Sequence, residues 1–168
     1  MLEHTPRFPV EFHSREEAAC AALLTKYLGW DAINGKTYQR PISTKHDADF
    51  FLPELNLIVE YHPPVIKWYS PDSTFSSLKR LQRTLSSHEY SEVQELLTQQ
   101  ISYDYYKRRR AIMDISDIEG VSKMRLIVAD SPHAFFRDVL KPHSSNHLTF
   151  QHFKNEWNQM MTRKRGRG

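Results

Sequence analysis

Residues 46–64 constrain the fold of this chain more than any other segment. Two runs of β-forming residues, ADFFL and LNLIVEYH, flank a turn at Pro53-Glu54. Two short runs of this composition on either side of a proline turn predict a β-hairpin. Each run carries an acid among its apolar residues, Asp49 in the first and Glu60 in the second. Pairing of these strands is therefore expected to bring both carboxylates to one edge of a sheet.

The segments that flank the hairpin predict helices and further strands. Ser14 and Glu17 form a capping box at the start of a helix that Gly29 ends. Further elements are expected as a strand over 37–42, a helix over 73–87, a helix over 90–113, a strand over 124–129 and helices in SPHAFFRDVL and LTFQHFKNEWNQMM. Because a helix directly follows the strand LIVAD, that strand is expected to run parallel to a neighbour.

This order of elements, αβββαβ with extra helices, predicts a mixed α/β or α+β fold. A central mixed sheet of about four strands, with helices on both faces, would bury the apolar residues of the strands and the helices. We expect one domain over residues 1–160 and a basic, disordered tail over residues 161–168.

Composition limits the classes of protein that the chain can belong to. No apolar run in the sequence approaches the roughly 20 residues that a membrane span needs. The amino-terminal segment lacks an apolar core, so we expect no signal peptide. Cys20 is the only cysteine and lies among alanines. It is predicted to be a small core residue in a protein of the reducing cytoplasm.

The basic residues are clustered along the chain. The net charge is +3, and the isoelectric point is about 9.0. Clusters of this kind favour a polyanionic partner, and we expect DNA; the alternative is a solvated helix face with a disordered tail. The residues expected to contact nucleic acid are Arg80, Arg83, Lys107, Arg108, Arg109 and Arg110.

Residues 107–110 cannot all face one way on a helix, so two of them are expected to contact phosphate. Phosphate contacts of this type give affinity and salt dependence rather than sequence choice. Tyr103, Tyr105 and Tyr106 lie on the same predicted helix. We expect them to stack on bases, except that at least one is expected to pack in the core.

The chemistry expected at the sheet edge follows from the cost of burying charge. A buried carboxylate without a partner is costly, whereas Mg²⁺ accepts one or two carboxylates together with water and phosphate oxygens. Asp49 and Glu60 are therefore candidate metal ligands, and His62 is expected on the same strand face as Glu60. The alternative is that the acids are surface or ion-pair residues and that His62 only ends its strand.

A zinc site is a weaker hypothesis. His143, His147 and His152 lie close together in the sequence, but no cysteine pattern or H-E-x-x-H motif accompanies them.

Three short motifs together resemble the PD-(D/E)XK nuclease superfamily, and most closely the phage endonuclease I type of Holliday-junction resolvase. They are Ser14 with Glu17 at the start of the first helix, Asp49 followed by FFLP, and the strand end Val59-Glu60-Tyr61-His62. The likeness extends over about residues 12–130 and is shared in part with mismatch-repair endonucleases of the very-short-patch type. His62 stands where the family usually has lysine.

The resemblance implies a restriction-endonuclease-like fold and a Mg²⁺-dependent DNA endonuclease, with Mn²⁺ as a substitute cation. Asp49, Glu60 and Glu17 would be metal ligands, with Glu16 as the alternative to Glu17. His62 would be the catalytic group that orients or deprotonates the attacking water. The resemblance further implies branched or otherwise structured DNA as the substrate. It also implies a dimer or larger assembly in the cytoplasm or nucleoid.

Two alternatives remain open at this point. One is a nuclease-like fold without effective catalysis that serves as a nucleic-acid-binding or assembly subunit, which the His62 departure favours. The other is a structural interaction protein whose acids are incidental.

Overall fold

The computed structural model describes residues 10–64, 85–144 and 147–163. In these residues a four-stranded mixed sheet is flanked by helices, which confirms the predicted mixed α+β class. The strands lie in the order β1-β2-β3-β4. Strands β1 to β3 are antiparallel neighbours, and β4 runs parallel to β3 as predicted. Their bounds are Tyr38–Pro41 for β1, Asp47–Leu52 for β2, Leu57–Tyr61 for β3 and Arg125–Ala129 for β4.

Four helices are described, and their bounds are Arg15–Leu28 for α1, Ser87–Asp114 for α2, residues 132–143 for α3 and Phe150–Thr162 for α4. Helix α3 has a π-helical middle at Phe136–Leu140. The helix predicted over 73–87 lies almost entirely outside the described residues, as do Arg80 and Arg83. Helix α4 extends two residues beyond the predicted domain boundary, and residues 164–168 of the predicted tail lie outside the described residues.

The predicted hairpin is present, and its turn has a specific shape. A 3₁₀ turn at Pro53–Leu55 follows β2, and Asn56 adopts a left-handed conformation with φ of 53°. Asparagine tolerates this conformation better than most residues. The register pairs Phe50 with Val59 and Leu52 with Leu57. The paired side chains lie on the same face of the sheet, so this register determines which residues β2 and β3 bury together.

Helix α1 begins and ends where the sequence predicts. The Ser14 hydroxyl accepts a hydrogen bond of 3.1 Å from the backbone N–H of Glu17. Gly29 ends the helix in the left-handed conformation, with φ of 67°. This cap sets the position of Glu17 at the first turn, directly beside the sheet.

Both faces of the sheet are covered. One face packs on α1, α3 and α4, and its core includes Leu23, Leu24, Phe50, Leu57, Val59, Phe135 and Phe153. Cys20 is fully buried in this core, as predicted. The other face carries a smaller core that includes Ile42, Ala48, Ile58, Met113 and Leu126.

Helix α2 crosses from the end of β3 to the start of β4 and lies over the second face. Its carboxyl-terminal half supplies Met113 to the smaller core, whereas Leu96 near its middle is 65% exposed. Within the described residues, no helix is long and apolar enough to cross a membrane. The crossover places residues 105–109 of α2 against the end of β3, where Glu60 lies.

Candidate active site

The candidate site lies in a fork between β2 and β3. The backbone pairing of these strands ends at Phe50 and Val59. Beyond that point side chains bridge them: Asp49 N–H donates to Glu60 Oε2 at 3.4 Å, and Tyr61 N–H donates to Asp49 Oδ2 at 3.1 Å. The two carboxylates are therefore neighbours at one edge of the sheet, as the hairpin pattern predicted. They also replace the strand ladder there, which the pattern did not predict.

Glu60 is the most buried acid of the site, with 1% of its surface exposed. Its Oε1 accepts hydrogen bonds from both Nε and Nη2 of Arg109, the first at 3.0 Å. Burial, and after it the charge of Asp49, raises the pKa of Glu60 well above its usual range, and the Arg109 guanidinium opposes that rise. Arg109 is thus the counter-charge that makes a buried carboxylate tolerable here.

Asp49 is half-buried and is held from two sides. Besides the Tyr61 N–H at one oxygen, the side-chain amide of Gln39 donates to Asp49 Oδ1 at 2.9 Å. Gln39 has a φ of 52°, a left-handed conformation that is uncommon for a residue other than glycine. Such conformations cluster at functional sites because the surrounding structure must hold them in place.

Glu17 rather than Glu16 is the helix acid that lies near Asp49. The charge of Asp49, after burial, raises the pKa of Glu17. The Glu17 carboxylate accepts a hydrogen bond of 3.0 Å from the Tyr38 hydroxyl and one of 3.4 Å from Ser14. These contacts hold Glu17 at the fork from the α1 side of the sheet.

His62 lies just past the end of β3. Its ring stacks on that of Tyr105, with ring centroids 3.7 Å apart and planes inclined by 6°. Its backbone N–H donates to the Ala129 carbonyl at 2.8 Å, which extends the parallel pairing with β4 by one residue. Burial lowers the pKa of His62; Asp49 opposes this shift, and the charges of Arg108 and Arg109 add to it.

The basic cluster 107–110 divides into two groups. Lys107 and Arg108 are exposed, whereas Arg109 is buried against Glu60. Arg110 donates to the carbonyls of Met124 and Ser122, at 2.6 and 2.7 Å, and bonds Asp114. Two members therefore remain exposed for phosphate, and of these Arg108 lies near His62. Lys107 lies roughly 160° around the helix axis from Arg109 and faces away from the site.

The other candidate groups do not converge on the fork. Tyr103 and Tyr106 are exposed, at 57% and 37%, while Tyr105 packs on His62. His143 bonds Arg125 and the Val139 carbonyl, and His152 pairs with Glu156. Across residues 10–64, 85–144 and 147–163, no group of three or more His, Cys, Asp or Glu side chains is arranged to hold a metal ion. The acids of the fork thus form a two-carboxylate pair with Glu17 nearby.

Sequence reasoning missed the partners of the acids. It assigned Arg109 to phosphate, whereas Arg109 bonds Glu60, and it gave no role to Gln39 or Tyr38. One signal was present: Ile101, Tyr105, Arg109 and Met113 recur at four-residue spacing, which places Arg109 on the inward stripe of α2.

Comparison of the chain with models of protein families, with curated proteins and with solved structures finds no match. The resemblance to PD-(D/E)XK nucleases therefore remains a prediction that rests on the quoted motifs.

The shifted pKa of His62 gives the first testable prediction. In an NMR titration, His62 should titrate below the usual 6.5. Arg108→Ala should move the pKa back towards that value because it removes a repelling positive charge, while Arg108→Lys should leave it low. Since the unfolded chain binds the proton more tightly, His62 should lower stability as the pH falls through about 6.5. An equal pKa in all three proteins would contradict the proximity of Arg108.

Proposed function

We propose that this protein is a metal-dependent DNA endonuclease that hydrolyses phosphodiester bonds and has a restriction-endonuclease-like fold. The observation that carries the proposal is the pairing of Asp49 and Glu60 in the fork between β2 and β3. Glu17 and His62 flank this pair from opposite sides of the sheet. Burial of like charges side by side is costly, and perturbed groups in such clusters are typical of functional sites.

The order of elements supports the same proposal. The chain runs from the helix that bears Glu17, through the strand with Asp49 and the strand with Glu60, to a crossover helix and a parallel strand. This is the order that the superfamily resemblance implies; Glu17, Asp49 and Glu60 come from the expected elements, and His62 follows directly after β3.

The donor set fits a divalent cation. Glu60 Oε2 accepts the long contact of 3.4 Å from the Asp49 N–H, and the Asp49 carboxylate lies beside it. Mg²⁺ needs few protein ligands, because water and substrate oxygens complete its octahedron. Arg109 stays at the other Glu60 oxygen and does not block this face. When bound, Mg²⁺ or Mn²⁺ would polarise the scissile phosphate and lower the pKa of the attacking water.

The residues of the chain have distinct tasks in this reaction. Asp49 and Glu60 would hold the cation at the fork between β2 and β3. His62 is neutral at neutral pH because its pKa is lowered, so a ring nitrogen, Nδ1 or Nε2, is able to accept the proton of the attacking water. The Tyr105 ring fixes the plane of the imidazole. Glu17 is held by Tyr38 and can accept a hydrogen bond from a water molecule in the site.

A second candidate function is favoured by the Arg109 contact. A nuclease-like subunit without catalysis would carry an arginine that already balances the Glu60 charge, and a histidine in place of the family's lysine. Such a protein would bind nucleic acid or an assembly partner and would not cut. Incubation of supercoiled plasmid with the protein, with Mg²⁺ or with EDTA, separates the two functions.

Loss of either carboxylate should abolish cleavage. Asp49→Asn and Glu60→Gln keep side-chain volume and remove the charge that a cation needs. Nicking of supercoiled plasmid should fall to background, while a gel shift should show DNA binding retained or tighter, because a negative charge near phosphate is gone. Asp47→Asn is the matched control, since Asp47 is an exposed aspartate of the same strand. Full activity in Asp49→Asn would contradict the assignment of the site.

Substitution of His62 should slow the chemical step and leave metal binding largely in place. His62→Ala should slow single-turnover cleavage by about 10²–10⁴, the range of a general acid–base group. His62→Lys should restore part of the rate. In the wild-type protein the rate should rise with pH through the His62 pKa, which lies below 6.5. The rates should be compared from about pH 5.5 to 9, which brackets the histidine transition. Cleavage by His62→Ala at the wild-type rate over this range would show that His62 only ends the strand.

Arg108 should be a phosphate contact beside the site. Arg108→Ala should weaken DNA binding and reduce the slope of log K against log salt by about one unit. Lys123→Ala is the matched control, because Lys123 is exposed at the opposite end of β4. Equal slopes for the wild-type protein and Arg108→Ala would remove this residue from the DNA surface.

A further inference from the structure

We infer that Arg109 is a positioning residue for Glu60: it holds one carboxylate oxygen and turns the other towards Asp49, where a divalent cation would bind. This inference rests on the proposed function and adds to it a residue that the motifs do not include. It assigns the basic cluster of α2 two different tasks, with Arg109 directed inward and Arg108 directed outward.

The geometry of the contact is specific. Nε and Nη2 of Arg109 both donate to Oε1 of Glu60. An arginine that spanned both oxygens of the carboxylate, the frequent two-bond arrangement, would leave Glu60 no free oxygen. Here Oε2 remains, and it faces the backbone N–H of Asp49 at 3.4 Å.

The same guanidinium ties three elements together. Its Nη2 also donates to the Asp47 carbonyl, so one side chain of α2 bonds both β2 and β3 at the mouth of the fork. Arg109 is 8% exposed, and the Tyr105 ring lies 5.9 Å from its guanidinium carbon. A buried, multiply bonded arginine of this kind fixes the orientation of its carboxylate partner.

The opposite role for Arg109 makes a different prediction. If Arg109 were a competitor that must leave before a cation binds, its removal would strengthen cation binding. Simple electrostatics gives the same sign, because removal of a positive charge near a cation site favours the cation. A positioning role alone predicts weaker binding after the arginine is removed, because Glu60 loses its orientation.

Direct Mn²⁺ binding, measured from the free-ion signal in electron paramagnetic resonance, tests the inference without DNA or turnover. Arg109→Ala should weaken Mn²⁺ binding by about 10–100-fold, the usual effect of losing a partner that orients a metal ligand. Arg109→Lys, which keeps the positive charge but not the planar guanidinium with its several N–H donors, should bind Mn²⁺ with intermediate affinity. Arg108→Ala is the matched control: it removes the same charge from the next residue and should bind Mn²⁺ as well as the wild type or slightly better.

The outcomes are distinguishable. Circular dichroism establishes which variants are folded, and if Arg109→Ala is not folded, Arg109→Lys decides. Mn²⁺ binding at or above wild-type affinity in the folded Arg109 variant overturns the inference and leaves the proposed function in place. A wild-type protein that binds no Mn²⁺ overturns the proposed function and the inference with it. Weaker binding in Arg109→Ala and Arg109→Lys, but not in Arg108→Ala, supports the inference.

Discussion

The buried contact between Glu60 and Arg109 is the interaction on which the arrangement of the site depends. A carboxylate on an interior strand, almost without exposed surface, has a large desolvation cost that packing cannot repay. Arg109 offsets this cost from α2, on the same inward stripe of the helix as Ile101 and Met113. The same contact reaches the β2 backbone at Asp47. The ion pair therefore links the helix to both strands of the fork, one helical turn after Tyr105, which stacks on His62.

Regular β structure ends where the site begins. Past Phe50 and Val59 the strands are linked through the side chains of Asp49 and Glu60 rather than through paired backbone groups. Gln39, which bonds Asp49 from the neighbouring strand, has a left-handed backbone at this level of the sheet. Each of these departures costs stability relative to a continuous ladder. Natural chains accept such local conflicts mainly at functional sites, and this chain concentrates them at the candidate site.

The elements of the fold were predictable from the sequence because each has a local signal. Ser14 caps α1, Gly29 ends it, and a proline turn separates two β-forming runs, so the edge shared by Asp49 and Glu60 followed from strand alternation. The partners of the acids depend instead on how α2 rotates and on the shape of β1. The four-residue spacing from Ile101 to Met113 was a signal for Arg109 on the inward stripe that the sequence analysis did not use, and only the contact shows that a buried acid lies opposite. No glycine or asparagine marks the left-handed residue Gln39.

Burial shifts the pKa values of the acids and of the histidine of the site in opposite directions, and these shifts bear on the proposed mechanism. It raises the pKa values of Glu17 and Glu60, because both acids lose water and lie near the charge of Asp49. It lowers the pKa of His62, so the neutral imidazole is favoured beside the acids. One arginine balances one of three neighbouring carboxylates, and the imidazole adds no positive charge at neutral pH. A divalent cation bound in the fork would offset the like-charge repulsion that contributes to these raised pKa values, and the neutral imidazole is in the protonation state that a general base requires.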